Sequence, residues 1–174
     1  MQRVLIVGIP CSGKTTLSKG LAARMGLPHI EVDQHHWGLH WTLREDFYDV
    51  IDAATAEPAW IADDWGTPMV QDLLWSRADV LVWLDPPRRQ AEYRAVRRTF
   101  SRVVRRQVLA GGNRDAPLSW LSPHHPVRYV WSQHRSHRAF MEQRLLDARW
   151  SDLQLIRLRT DAEVKQFLAQ LTPA

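Results

Sequence analysis

Residues 8 to 15 read Gly-Ile-Pro-Cys-Ser-Gly-Lys-Thr and follow directly on the apolar run Val4-Leu5-Ile6-Val7. They fill every fixed position of G-x-x-x-x-G-K-[ST], and an amphipathic stretch with Leu17, Leu21, Ala22 and Met25 comes next. Strand, glycine-bearing loop and helix in that order form a phosphate-binding loop. Its backbone from Pro10 through Cys11, Ser12 and Gly13 to Lys14 can wrap an anion, with N–H groups from Cys11 onward and the positive end of the helix dipole. Lys14 is placed to reach the β- and γ-phosphates of a nucleotide, and Thr15 to offer its hydroxyl to Mg²⁺. Gly8 and Thr16 flank this set and complete the expected nucleotide contacts.

The rest of the chain must build a sheet around that strand. Apolar strand-like runs alternate with helical patterns, which predicts an α/β fold with a parallel sheet covered on both faces. We read strands over 3–9, 28–33, 59–64, 79–85 and 153–159. Helices are read over 13–25, 43–56, 68–76, 87–106, 125–148 and 161–171. Pro28, Pro58 and Pro86 punctuate the element ends, and Gly26 suits a helix C-cap. The 174 residues suffice for one domain that buries roughly 70% of its unfolded surface. The stretch 107–124, with Gly111-Gly112-Asn113-Arg114, is the one long interruption, and it predicts a lid over about 99–128.

Composition narrows the function. A single cysteine, Cys11, excludes an internal disulfide, and its place in the loop suggests a small filler rather than a nucleophile. The start Met1-Gln2-Arg3-Val4 lacks a leader pattern and no apolar run nears the ~20 residues of a membrane helix, so a cytoplasmic protein is expected. Net charge is +4, but eight arginines fall between Arg88 and Arg106. Such a block seeks phosphate, on a nucleotide or on a nucleic acid.

In open parallel sheets the ligand lies beyond the carboxyl ends of the strands. Acids stand there at Asp33, at Asp63-Asp64 and at Asp85. Asp33 is read either as a group that binds or deprotonates an acceptor hydroxyl or as a turn and cap residue. His35, His36 and His40 raise a zinc reading, which the absence of a companion cysteine weakens. Trp37, Trp41 and Trp65 are read as an aromatic wall or as core.

With these residues the chain resembles the nucleoside-monophosphate-kinase group of P-loop proteins, adenylate kinases in particular. Ala62-Asp63-Asp64-Trp65 resembles the acidic segment after the third strand, and Asp85-Pro86-Pro87 followed by Arg94 and Arg98 resembles the turn and helix after the fourth. A nearer resemblance, to small bacterial adenylate-kinase-like or topology modulation proteins, covers nearly the whole chain. It rests on Val32-Asp33-xx-His36-Trp37, Trp60-Ile61-Ala62-Asp63, Ala78 through Asp85, Gly112-Asn113-Arg114 and Trp131-xx-His134-Arg135. Relatives commonly have Asp-Gly-Asn-Tyr where this chain has Asp63-Asp64-Trp65-Gly66.

The resemblance implies a three-layer α/β/α fold with a five-stranded sheet in the order 2-3-1-4-5 and a small helical or loop lid. It implies ATP and Mg²⁺, with Asp63 holding a water of the metal's shell and Arg94 and Arg98 against adenine and phosphate. Arg135 and Arg138 would meet the transferring phosphoryl group. The activity implied is phosphoryl transfer from ATP to a small acceptor: a nucleoside monophosphate, a nucleoside or a hydroxylated metabolite. Against a nucleoside monophosphate, only Arg44 follows the second strand. The competing reading is an ATP-binding regulator that touches nucleic acid through Arg88 to Arg106; no recognition-helix motif accompanies those arginines.

Overall fold

The computed structural model describes residues 2–113, 122 and 125–170. Five parallel strands form one sheet: β1 (Arg3–Gly8), β2 (His29–Glu31), β3 (Trp60–Asp64), β4 (Val80–Leu84) and β5 (Gln154–Leu158), in the order β2-β3-β1-β4-β5. Seven α-helices connect or close them among the described residues: α1 (Lys14–Met25), α2 (Val32–His36), α3 (Phe47–Ala56), α4 (Pro68–Arg77), α5 (Arg88–Val104), α6 (Pro126–Arg144) and α7 (Asp161–Gln170). β1 is central, pairing Val4 with Ile61 of β3 and with Val80 of β4.

Both faces of the central strands are covered, which is why β3 and β4 are buried at every position, β4 as a continuous apolar run and β3 as an apolar start that ends in Asp63 and Asp64. Leu5, Val7, Trp60, Leu81 and Trp83 pack with Phe47 and Ile51 of α3, Leu74 and Trp75 of α4 and Met141 of α6. Val4, Ile6, Ile61, Val80 and Val82 point to the other face, against Leu17 and Leu21 of α1 and Phe167 of α7. A smaller cluster of Ile9, Cys11, Ala91, Ala95 and Val130 joins the phosphate loop to α5 and α6. Cys11 is therefore a buried packing residue, as a small filler should be.

Three boundaries differ from the sequence reading. β2 stops at Glu31 and the chain turns helical at once, so Asp33 lies on α2 instead of ending the strand. α3 begins only at Phe47, because a bridge between Trp37 and Leu43 and a 3₁₀ turn over Leu39–Trp41 occupy the residues before it. α6 ends at Arg144 rather than near 148. A 3₁₀ turn over Ala148–Trp150 then swings Trp150 inward, where its ring meets Trp75 edge-on at 5.5 Å.

Candidate active site

The loop's glycines have steric causes. Gly8 has φ 152°, and a Cβ there would lie 2.5 Å from the Leu84 carbonyl oxygen of β4 and 2.9 Å from Ser12 Oγ. No other residue lets the loop leave β1 so close to its neighbour strand. Cys11 (φ 64°) and Gly13 (φ 107°) take left-handed backbone conformations, the geometry in which successive N–H groups line an anion-binding concavity. Lys14 folds back across the loop, its Nζ donating to the carbonyls of Gly8 at 2.9 Å and Ile9 at 3.3 Å. Ser12 Oγ is buried with no partner among the described residues, and Thr16 is exposed on the first turn of α1.

Thr15 and Asp63 meet. Thr15 Oγ1 donates to Asp63 Oδ2 at 2.6 Å, and His29 Nε2 lies 3.1 Å from Asp63 Oδ1. The pairing of β1 with β3, which sets Ile6 beside Asp63, delivers that carboxylate to the start of α1. A hydroxyl and a carboxylate side by side are hard oxygen donors of the kind that suits Mg²⁺, which keeps most of its shell as water and phosphate oxygen. Among the described residues no three His, Cys, Asp or Glu side chains converge as metal ligands, and His35, His36 and His40 form no such group.

Asp64 is buried and structural. Its carboxylate accepts from the backbone N–H of Gly66 and Thr67 and from Thr67 Oγ1 at 2.7 Å, closing the turn into α4. Burial pushes its carboxyl pKa up, against these hydrogen bonds. Asp33 is different, because its Oδ1 is shut off from water with no partner among the described residues. Burial raises its pKa to about 6; nearby Lys14 opposes the rise, and Asp64, Asp63 and Glu31 add to it. Asp33, Asp63 and Asp64 thus gather at the same end of the sheet as Lys14, although Asp33 arrives from a helix.

The arginines divide. Arg94 donates through Nη1 to the Ser12 carbonyl at 2.8 Å and pairs with Asp161 at the start of α7, so it touches the phosphate loop. Arg98, one turn further along α5, and Arg135 on α6 are exposed. Arg138 donates through Nε to buried Asp85 Oδ1 at 2.8 Å, while Arg157 of β5 reaches Oδ2 at 2.6 Å and stacks on Trp83 at 4.1 Å. His134 also ties α6 to this corner, with Nε2 3.0 Å from the Pro86 carbonyl. Arg44 is exposed and paired with Asp46.

The start of the expected lid is docked. Asn113 is buried, its Nδ2 donating to the carbonyls of Gly38 at 2.8 Å and Ala110 at 2.7 Å, and its Oδ1 accepting from Trp41 N–H at 3.1 Å. Gly111 (φ 65°) presses so close that a Cβ would stand 2.2 Å from the Gly38 carbonyl oxygen. Arg114 and most of the remainder of the lid segment lie outside the described residues. Trp37 and Trp41 stack edge-on at 5.7 Å beside this contact, and Trp60, Trp75 and Trp83 are core.

Trp65 instead lines a cavity of about 220 Å³ with Gly66, Tyr129, Gln133, Ser136, His137 and Phe140. None of the five α6 residues was singled out from sequence. The available signal was their spacing, which puts Tyr129, Gln133, Ser136, His137 and Phe140 on one helical face.

Sheet order and loop together define the P-loop kinase fold. No protein-family model matches the sequence, and no curated protein matches it. Solved structures do share the fold. The shikimate kinase from Acinetobacter baumannii in complex with shikimate is similar over 98% of this chain and 90% of its own, at 14% identity and a TM-score of 0.56. The deoxyadenosine kinase from M. mycoides with bound dATP is similar over 98% of each chain, at 12% identity and 0.56. A gluconokinase from Sinorhizobium meliloti 1021 is similar over 98% of this chain and 93% of its own, at 16% identity and 0.52. At these identities the likeness is one of fold.

Proposed function

We propose that this chain is an ATP-dependent phosphotransferase that moves the γ-phosphoryl group of ATP to the hydroxyl of a small acceptor. The observation that carries the reading is the contact between Thr15 and Asp63 beside Lys14, on a loop whose backbone forms an anion cradle. The phosphate loop and Lys14 hold the β- and γ-phosphates, and Thr15 and Asp63 hold Mg²⁺, which neutralises charge on the phosphates when bound. The acceptor oxygen bonds to the γ-phosphorus as the bond from that phosphorus to the β–γ bridging oxygen breaks. ADP leaves, and the hydroxyl proton passes to the Asp33 carboxylate. A carboxyl titrating near 6 is ionised at neutral pH yet basic enough to accept it.

Arg94 fixes the loop, and Arg98, Arg135 and, on release from Asp85, Arg138 are the candidates to meet phosphate charge. The adenylate-kinase-like resemblance supports the ATP side of this reading more than the acceptor side. Arg44, occupied by Asp46, argues for a hydroxylated metabolite or nucleoside over a nucleoside monophosphate. That the fold is shared with kinases of shikimate, gluconate and deoxyadenosine supports a small acceptor. The test is ADP release from ATP and Mg²⁺ over a panel of nucleosides, nucleoside monophosphates, sugars and hydroxy acids. No release above the Lys14→Ala background with any of them would refute the proposal.

A further inference from the structure

The cavity beside Trp65 opens at the carboxyl edge of β3, directly after Asp63 and Asp64. Its walls are Trp65, Tyr129 and Phe140, with Trp65 and Tyr129 edge-on at 5.7 Å between ring centroids. Its polar side chains are those of Tyr129, Gln133, Ser136 and His137, and no lysine, arginine or carboxylate lines it among the described residues. At about 220 Å³ it is smaller than the roughly 300–1,000 Å³ of drug-sized sites and holds one ring.

His137 is fixed in its neutral form. Its Nε2 lies 3.4 Å from the Trp65 carbonyl, which makes that nitrogen the donor and leaves Nδ1 an acceptor. Burial lowers its pKa to about 4, with Lys14 and His134 adding to the fall against the Trp65 carbonyl and Asp85. Ser136 donates to Gln133 Oε1 at 3.0 Å, so the free donor of that pair is the Gln133 amide N–H₂. The cavity therefore offers aromatic faces, one nitrogen acceptor, one amide donor and the hydroxyls of Tyr129 and Ser136, with no charged side chain among the described lining residues.

We infer that this cavity takes the ring of an uncharged hydroxylated acceptor, a sugar or a nucleoside, and discriminates against anionic and cationic analogues of the same skeleton. The inference rests on the phosphotransferase reading for the word acceptor, while the preference itself follows from the lining. An anion entering would lose water with no cationic side chain among the described lining residues to meet it, and His137 is neutral near pH 7. A cation would gain from the aromatic faces but would meet no carboxylate among those residues.

The experiment uses the full chain and a matched series: glucose, gluconate and glucosamine, then deoxyadenosine and its monophosphate. Binding is read by saturation-transfer NMR without nucleotide, and ADP release is read in parallel. The uncharged member of each set should bind more tightly by about 10-fold, the effect of leaving one charge unpaired in a partly desolvated site. Gln133→Arg, on the exposed side of the helix face, should swing the preference toward gluconate by a similar factor. Ser136→Trp should fill the cavity and abolish uncharged binding while circular dichroism stays unchanged.

Tighter binding of a charged member, or uncharged binding that survives Ser136→Trp, overturns the inference. Uncharged binding at the cavity without ADP release supports it and refutes the phosphotransferase reading. ADP release that favours gluconate or the monophosphate does the reverse.

Discussion

Asp33→Asn separates a working carboxylate from a turn residue because the two roles predict opposite changes in stability. Burial lifts the Asp33 carboxyl from 3.8 to about 6 in the folded chain. Each tenfold in that equilibrium is worth about 1.4 kcal/mol, so the ionised group destabilises the fold by up to about 3 kcal/mol. Its partial contact with solvent trims this to about 1–2 kcal/mol. Between about pH 4 and pH 6 the folded chain holds a proton that the unfolded chain has released, so stability falls as pH rises through this window. Above it the full cost persists.

The asparagine variant carries no such cost. At pH 8 its melting temperature should exceed the parent's by about 3–6 °C, at roughly 2–4 °C per kcal/mol for a chain of this size, and at pH 4 the gain should vanish. Turnover should fall by about 10²- to 10⁴-fold while binding of an ATP analogue holds. The parent's own turnover should decline as pH drops through about 6, as the base becomes protonated. Paired thermal melts at pH 4, 6 and 8 are the assay. A melting temperature at pH 8 equal to or below the parent's, with a pH-independent difference, refutes the claim that Asp33 is held ionised against the preference of the fold.

Lys14→Ala should remove ADP release while leaving the fold intact, read by circular dichroism alongside the activity assay. Gly111→Ala should release the docked segment, because a methyl group 2.2 Å from the Gly38 carbonyl oxygen cannot be accommodated; faster amide exchange at 109–113 and at 38–41 reports it. Asp85→Asn, which weakens the hold on Arg138 and Arg157, should lower stability by about 1.5–3 kcal/mol as two partly exposed cations lose their buried partner. Restoration of stability by adding Arg157→Gln would support that cause; no loss in the single variant would contradict it. Thr15→Val should raise the Mg²⁺ concentration needed for half-maximal turnover, seen in a metal titration at fixed ATP.

Most of the sheet was legible because its signals are local. The phosphate loop, the buried strands at 4–7 and 80–84 and the caps around them each occupy a few consecutive residues whose types admit one reading. Asp33 was placed at a strand end since a five-residue helix has no periodicity to display. Asp64 was legible as a departure, but its role required the positions of Gly66 and Thr67, which only the closed turn supplies. The partners of Arg94 and Arg138 are separated from them by 82 and 53 residues, and no spacing rule reaches that far. Asn113 was part of a recognised Gly-Gly-Asn pattern, whereas the carbonyl it clasps at Gly38 lies 75 positions away.

The link from Ser12 through Arg94 to Asp161 bears on how the chain acquires its site in time. β1 occupies the middle of the sheet yet is the earliest strand to leave the ribosome, and β5 and α7, which deliver Asp161, are the last elements described. Parallel pairing across such separations is slow, because chain entropy is lost before contacts compensate it. The nascent loop therefore emerges with its glycines but before the link from Arg94 to Asp161 can close. Affinity for ATP should appear late in refolding, in step with the docking of α7, so the ligand rewards completed molecules only.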